Sequence, residues 1–202
     1  YKIAISFKRD YLDAYYNMGI AYGTLEEGGG DVLDNAVGAL KQSIRLNSTF
    51  IHGYIALGAA YIRKEDFKSA LDVLRQAILI DAKNPNAHYY IGVACRATKE
   101  FEKAAVSLST SVLLKPDSLQ IQYFLGLVLI DCKNFQSACD AFNEAVRIKP
   151  DFAEGHFMLG YTYLENLSDI EKGTYHLNKA EKLYIKLEDF DRLERVRAMR
   201  VK

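Results

Sequence analysis

Gly58, Gly92, Gly126 and Gly160 stand 34 residues apart, and Gly19 precedes them in the same local setting. A fixed period of that length constrains the fold more than any other feature. It belongs to stacked helix-turn-helix units, each too small to bury a core alone and completed by its neighbours.

With Pro85 as position 1 of a unit, neighbouring units begin at Ile51, Leu119 and Ala153, and position 8 is glycine throughout. Position 7 reads Met18, Leu57, Ile91, Leu125, Leu159; position 11 reads Tyr22, Tyr61, Cys95, Leu129, Tyr163. Position 20 is Ala36, Ala70, Ala104, Ala138 and then Gly173; position 24 is Leu40, Leu74, Leu108, Phe142, Leu177. Positions 4, 7 and 11 share one face of a first helix, and 17, 20, 24 and 27 share one face of a second. The small residues at 8 and 20 remove bulk where the two helices approach, and the large ones at 7, 11 and 24 fill the space beside. Asp66 and Asn134 stand as N-caps before second helices, and Pro116 and Pro150 fall after second helices have ended.

This residue set closely resembles the tetratricopeptide repeat (TPR) family over about residues 12 to 185, whose pattern is aromatic-x-x-Leu-Gly-x-x-Tyr, then Ala, Phe or Tyr, Ala and Pro. The resemblance implies an all-α fold: an α-solenoid of stacked helix-turn-helix repeats forming a right-handed superhelix with a C-terminal capping helix. Its expected divisions are 1–11 (second helix of a truncated repeat), 12–50 (a repeat with five extra residues), 51–84, 85–118, 119–152, 153–187 (one extra residue) and 188–202 (cap). The five-residue surplus lies in Glu26–Gly30 and reads as a surface loop or a partner-touching one, since no Gly-Lys-Ser/Thr follows the glycines to hold phosphate. The single extra residue falls near Asn166 to Asp169. Position 4, an aromatic in the family, is Tyr15, Tyr54, His88, Gln122 and His156 here. The histidines read as packing residues rather than metal ligands.

Leu187, Phe190, Leu193, Val196 and Met199 recur at helical spacings with charges between them, which predicts the amphipathic cap. Twenty-six basic residues balance 26 acidic ones, so nothing suggests a broad nucleic-acid or anionic-membrane footprint. No apolar run is long enough to cross a bilayer. Three cysteines without metal-type spacing read as small core residues, and with the absence of a leader at the start they favour a cytoplasmic setting. No nucleophile, base and orienter converge in the repeat frame, so the segment reads as non-catalytic, with no cofactor and no metal.

In this family positions 2, 5, 6, 9, 12 and 13 line the inner wall. Carried over, that wall holds Tyr16, Ile20, Ile55, Ala59, Tyr89, Tyr90, Val93, Arg96, Tyr123, Phe124, Leu127, Phe157, Met158 and Tyr161, rimmed by Arg63, Asp131 and Glu165. Members that grip the acidic Hsp70 or Hsp90 tail need Lys, Asn and Arg at set wall positions. No unit here carries Lys or Arg at positions 2, 5 or 6, so that clamp is absent. An apolar and aromatic wall implies an amphipathic helix or extended apolar peptide as partner. The alternative is that the chain itself, or a second copy in a homodimer, fills it.

Overall fold

The computed structural model describes residues 12–23 and 30–200, all helix and connecting turn. The expected helix over 1–11 and the Glu26–Gly29 part of the insertion lie outside the described residues. Eleven α-helices follow among the described residues: α1 Leu12–Gly23, α2 Gly30–Leu46, α3 Ile51–Arg63, α4 Phe67–Ile80, α5 Pro85–Ala97, α6 Phe101–Leu114, α7 Leu119–Asp131, α8 Phe135–Ile148, α9 Ala153–Tyr161, α10 Ile170–Lys186 and α11 Phe190–Arg200. They form an α-solenoid of antiparallel pairs in two compact units that divide after Leu114.

Each pair is closed by the same steric lock. A Cβ built on Gly58, Gly92 or Gly160 would sit 2.5–2.6 Å from the side chain of Leu74, Leu108 or Leu177, and on Gly126 it would sit 2.4 Å from the Phe142 ring. Position 24 therefore lies directly over position 8. These large side chains are wholly buried, as are Ala70, Ala104 and Ala138 at position 20. The first helices α3, α5 and α7 each end on a residue in the left-handed region: Glu65 at φ 60°, Lys99 at 62°, Lys133 at 58°. The amide of the next residue reaches back five positions, as Asp66 N–H does to Tyr61 O at 3.0 Å, which seals the turn as a Schellman motif. The carboxylate of Asp66 then accepts from Ser69 N–H at 3.1 Å, and Asn134 does the same for Ser137 at 3.4 Å, starting the second helices.

Position 4 is chemically uniform despite its varied residues. Tyr54 Oη donates to Ser48 O at 3.1 Å, His88 Nε2 to Ala82 O at 3.0 Å, Gln122 Nε2 to Pro116 O at 3.0 Å and His156 Nε2 to Pro150 O at 3.2 Å. Every one is a donor six residues after a carbonyl left unpaired by the end of the preceding second helix. What looks in the sequence like departure from an aromatic is a constant hydrogen bond, and because a carbonyl only accepts, both imidazoles carry their proton on Nε2.

The extra residue of the last repeat is absorbed earlier than its expected place near Asn166–Asp169. α9 passes into a π turn at Thr162–Asn166, with Leu167 N–H reaching Thr162 O at 3.2 Å. This swings Leu164 against α10, where a Cβ on Gly173 would lie 2.4 Å from Leu164 Cγ. Glycine replaces the alanine of position 20 for that reason. The cap helix begins at Phe190: residues 187–189 form a turn, and Asp189 accepts from Arg192 N–H at 3.1 Å. Leu193 and Val196 are buried, while Leu187 and Phe190 stay exposed.

Candidate binding face

The wall residues come from the first helix of each pair. Two helical faces compete for them: one turned to the next repeat and one left open.

In the unit ending at Leu114, position 5 goes largely to packing. Ile55 and Tyr89 are each 8 % exposed, and the half-buried Tyr16 meets Phe50 edge-on at 5.1 Å. Positions 6, 9 and 12 keep their access: Ile20 is 37 % exposed, and Ala59, Tyr90, Val93 and Arg96 are partly exposed. Tyr90 stacks edge-on with Tyr89 at 5.1 Å. Burial pushes the Tyr90 phenol above its ordinary pKa, and Tyr16 adds to the rise, so two phenols two repeats apart lie within electrostatic reach. α3 lies between their helices in the repeat order and offers only Ala56 and Ala59 at the matching positions.

In the unit beginning at Lys115, Tyr123 meets Phe152 edge-on at 5.2 Å, the counterpart of Tyr16 on Phe50. Phe124, Leu127, Met158 and Tyr161 are partly exposed. Phe157, expected as an anchor, is 6 % exposed and is taken up by the chain itself. It clusters with Leu193 and Val196 of the cap, and the Arg195 guanidinium lies 5.2 Å above its ring. Ile55, clustered with Ala87 of the next repeat, and Phe157, clustered with the cap, thus serve packing first, and Tyr89 is buried like them.

Sequence reasoning missed Glu154. Its carboxylate accepts from Tyr184 Oη at 2.6 Å, with Tyr123 Oη and Arg192 Nε each at 3.5 Å, so one side chain joins α7, α9, α10 and α11. Burial, reinforced by the Glu154 charge, drives the Tyr184 phenol far above its usual range. The only sequence signal is an acid in the first turn of a helix, which occurs too widely to single it out.

Away from this face, His156 Nδ1 lies 3.0 Å from His176 Nδ1, and the rings stack at 5.3 Å. Since His156 Nε2 donates to Pro150, His176 Nδ1 is the donor of this bond. Burial depresses the pKa of both, that of His176 to about 4, with His156 the second cause there. The Cys139 thiol is pushed up to about 11, chiefly by burial, which leaves it inert. Among the described residues no three His, Cys, Asp or Glu side chains gather as a metal site, and no helix is long and apolar enough to cross a membrane.

A repeating helix pair locked by glycine under a large residue, with one face of each first helix left open, defines a solenoid repeat protein. Residues 58–95 match the family model described as TPR repeat, and 119–152 match that described as Tetratricopeptide repeat. Both segments are tetratricopeptide repeats, and the chain is built on this family's repeat unit. No curated protein matches the sequence. Among solved structures, it is similar to MamA, at 22 % identity with a TM-score of 0.72, over 79 % of this chain and 92 % of that one. MamA 41-end from Desulfovibrio magneticus RS-1 aligns at 20 % identity and a TM-score of 0.74, over 87 % and 96 %. YrrB, a TPR protein with an unusual peptide-binding site, aligns at 21 % and 0.68, over 90 % and 91 %.

Proposed function

We propose that this protein is a non-catalytic interaction scaffold whose first helices receive an apolar segment of a partner protein, an amphipathic helix or an extended peptide. The observation that carries this is the partly exposed apolar side chains at positions 6 and 9 within each unit: Tyr90 and Val93 in the first, Phe124, Leu127, Met158 and Tyr161 in the second. Aliphatic and aromatic surface of this kind gains by being covered. The likeness to YrrB, a peptide-binding member of the same fold, supports the reading. Position 5 contributes rigidity, and positions 6 and 9 contribute contact.

The alternative, in which the chain fills its own wall, is favoured where the cap covers Phe157.

The test is selection of peptides from a random display library on the intact chain, followed by binding measurements on Ala59→Glu and Leu127→Glu. Both positions are partly exposed, so the added carboxylate disturbs the wall rather than the core. The proposal expects affinity to fall on the order of tenfold or more for peptides seated at the altered unit. Unchanged affinity in both folded variants would overturn it.

A further inference from the structure

The outward face of α6 is unlike that of the other second helices. At positions 22 and 25, α4 carries Asp72 and Arg75, paired at 3.2 Å; at positions 26 and 29, α8 carries Glu144 and Arg147, paired at 2.7 Å. The same four positions on α6 are Val106, Ser109, Thr110 and Leu113, and no charge occurs from Ala104 to Leu114. Val106 is 69 % exposed and Leu113 82 %, with Leu79 of α4 at 78 %. Beside Val106 opens a cavity of about 420 Å³ between α4 and α6, floored by Leu71, Ile91 and Cys95 and edged by Arg75, Glu102 and Lys103. A face so placed carries water-exposed leucine next to an apolar hollow, on the side of the helical pair away from the wall.

We propose that this face pairs with a second copy of the chain about a twofold axis, α6 against α6 and antiparallel. Three features select a copy over another partner. A twofold contact sets each residue near the axis against its own kind, so any charge there would meet its like; α6 carries none from Ala104 to Leu114, its two charges Glu102 and Lys103 standing in the first turn, away from the axis. An antiparallel pairing centred between Ser109 and Thr110 sets Val106 of one copy opposite Leu113 of the other. Leu113, the most exposed apolar side chain, then lies over the hollow beside Val106, and the reciprocal contact is identical. Seven residues separate the two along α6, about 10 Å, which is two helical turns and keeps both on one face. Knob and hole are thus present on the same surface at the spacing a dyad requires. The proposal is independent of the partner-binding reading, because it uses the opposite face.

The test is sedimentation equilibrium of the intact chain under reductant, at micromolar to millimolar concentrations, alone and as variants. The wild type is expected to show a monomer–dimer equilibrium. Ser109→Glu and Ser109→Lys, both at an exposed site, are each expected to weaken it on the order of tenfold or more, and an equimolar mixture of the two to restore a heterodimer. Restoration by mixing supports twofold pairing through this helix. A wild type monomeric throughout, or single variants that dimerise as well as the wild type, would overturn it.

Discussion

Replacing Gly126 by alanine and replacing Gly38 by alanine are the same chemical change in helix interiors, yet only the second should stabilise the protein. At Gly38 no heavy atom lies within 4 Å of the added Cβ, so only the backbone term acts, a gain of about 1 kcal/mol. At Gly126 the Cβ would sit 2.4 Å from Phe142 Cε1, 2.6 Å from Cδ1 and 2.7 Å from Cζ. Ordinary carbon contacts are about 3.5–4.0 Å, so the ring must retreat by about 1 Å. It has nowhere to go: Phe142 is wholly buried in a cluster with Ala138, Cys139, Leu159 and Tyr163. Overpacking of this kind costs about 1–3 kcal/mol. Set against the same backbone gain, Gly126→Ala should be neutral to about 2 kcal/mol destabilising, leaving it roughly 1–3 kcal/mol below Gly38→Ala. Urea unfolding followed by circular dichroism measures both, with the slope checked because repeat arrays can lose cooperativity. A double-mutant cycle sharpens the result: in a Phe142→Ala background the clash is gone, and Gly126→Ala should become stabilising. If Gly126→Ala alone raised the midpoint as Gly38→Ala does, the lock between positions 8 and 24 would be refuted.

Three further outcomes follow from the same geometry. Gly173→Ala meets Leu164, so with the backbone gain set against the clash it should be neutral to about 2 kcal/mol destabilising, and Gly173→Ala should become stabilising in a Leu164→Ala background; a midpoint raised in the single variant as in Gly38→Ala would contradict the π-turn account. Glu65→Gly, Lys99→Gly and Lys133→Gly each relieve a left-handed backbone, and after the entropy of glycine is subtracted each should gain about 0.5 kcal/mol in unfolding experiments; losses would mean the side chains do more than sit in solvent. The His176 pKa is lowered to about 4 from 6.5, so its neutral form is favoured by folding; that stability is complete above about pH 6.5 and falls as pH drops toward 4, by roughly 3 kcal/mol at the full shift. The groups facing the pair are Tyr163 and Tyr175 by ring contact, with Lys179 bearing on His156. His176→Phe should flatten the acid limb between pH 4 and 6.5 relative to wild type, and an unchanged limb would remove the histidine pair as its cause.

The helices were legible because the period repeats the same steric problem. Glycine at 8 and a large residue at 24 can be read from spacing alone, and the capping Asp66 and Asn134 announce their helices. Two details were hidden. The position-4 donors looked like sequence drift, since Tyr, Gln and His share no shape, only an N–H or O–H at the right reach. The π turn was displaced from its expected place because an inserted residue settles where the backbone bends most cheaply, and only Gly173 carried a trace of it. The binding face was half legible. Periodicity assigns a residue to the first helix, yet whether position 5 meets solvent or the next repeat depends on the following helix, as with Phe157 beneath Arg195. Glu154 had no sequence signature because its three partners lie about 30 to 40 positions away on other helices.

The central claim is that the open positions of the first helices, not the outward faces of the second, take the partner. Methyl chemical-shift mapping with a library-selected peptide tests it directly. Shifts should concentrate on Ile20 and Val93 or on Leu127 and Met158, leaving the Leu79, Val106 and Leu113 methyls in place. A response confined to those three outward methyls, with the first-helix methyls still, would contradict it.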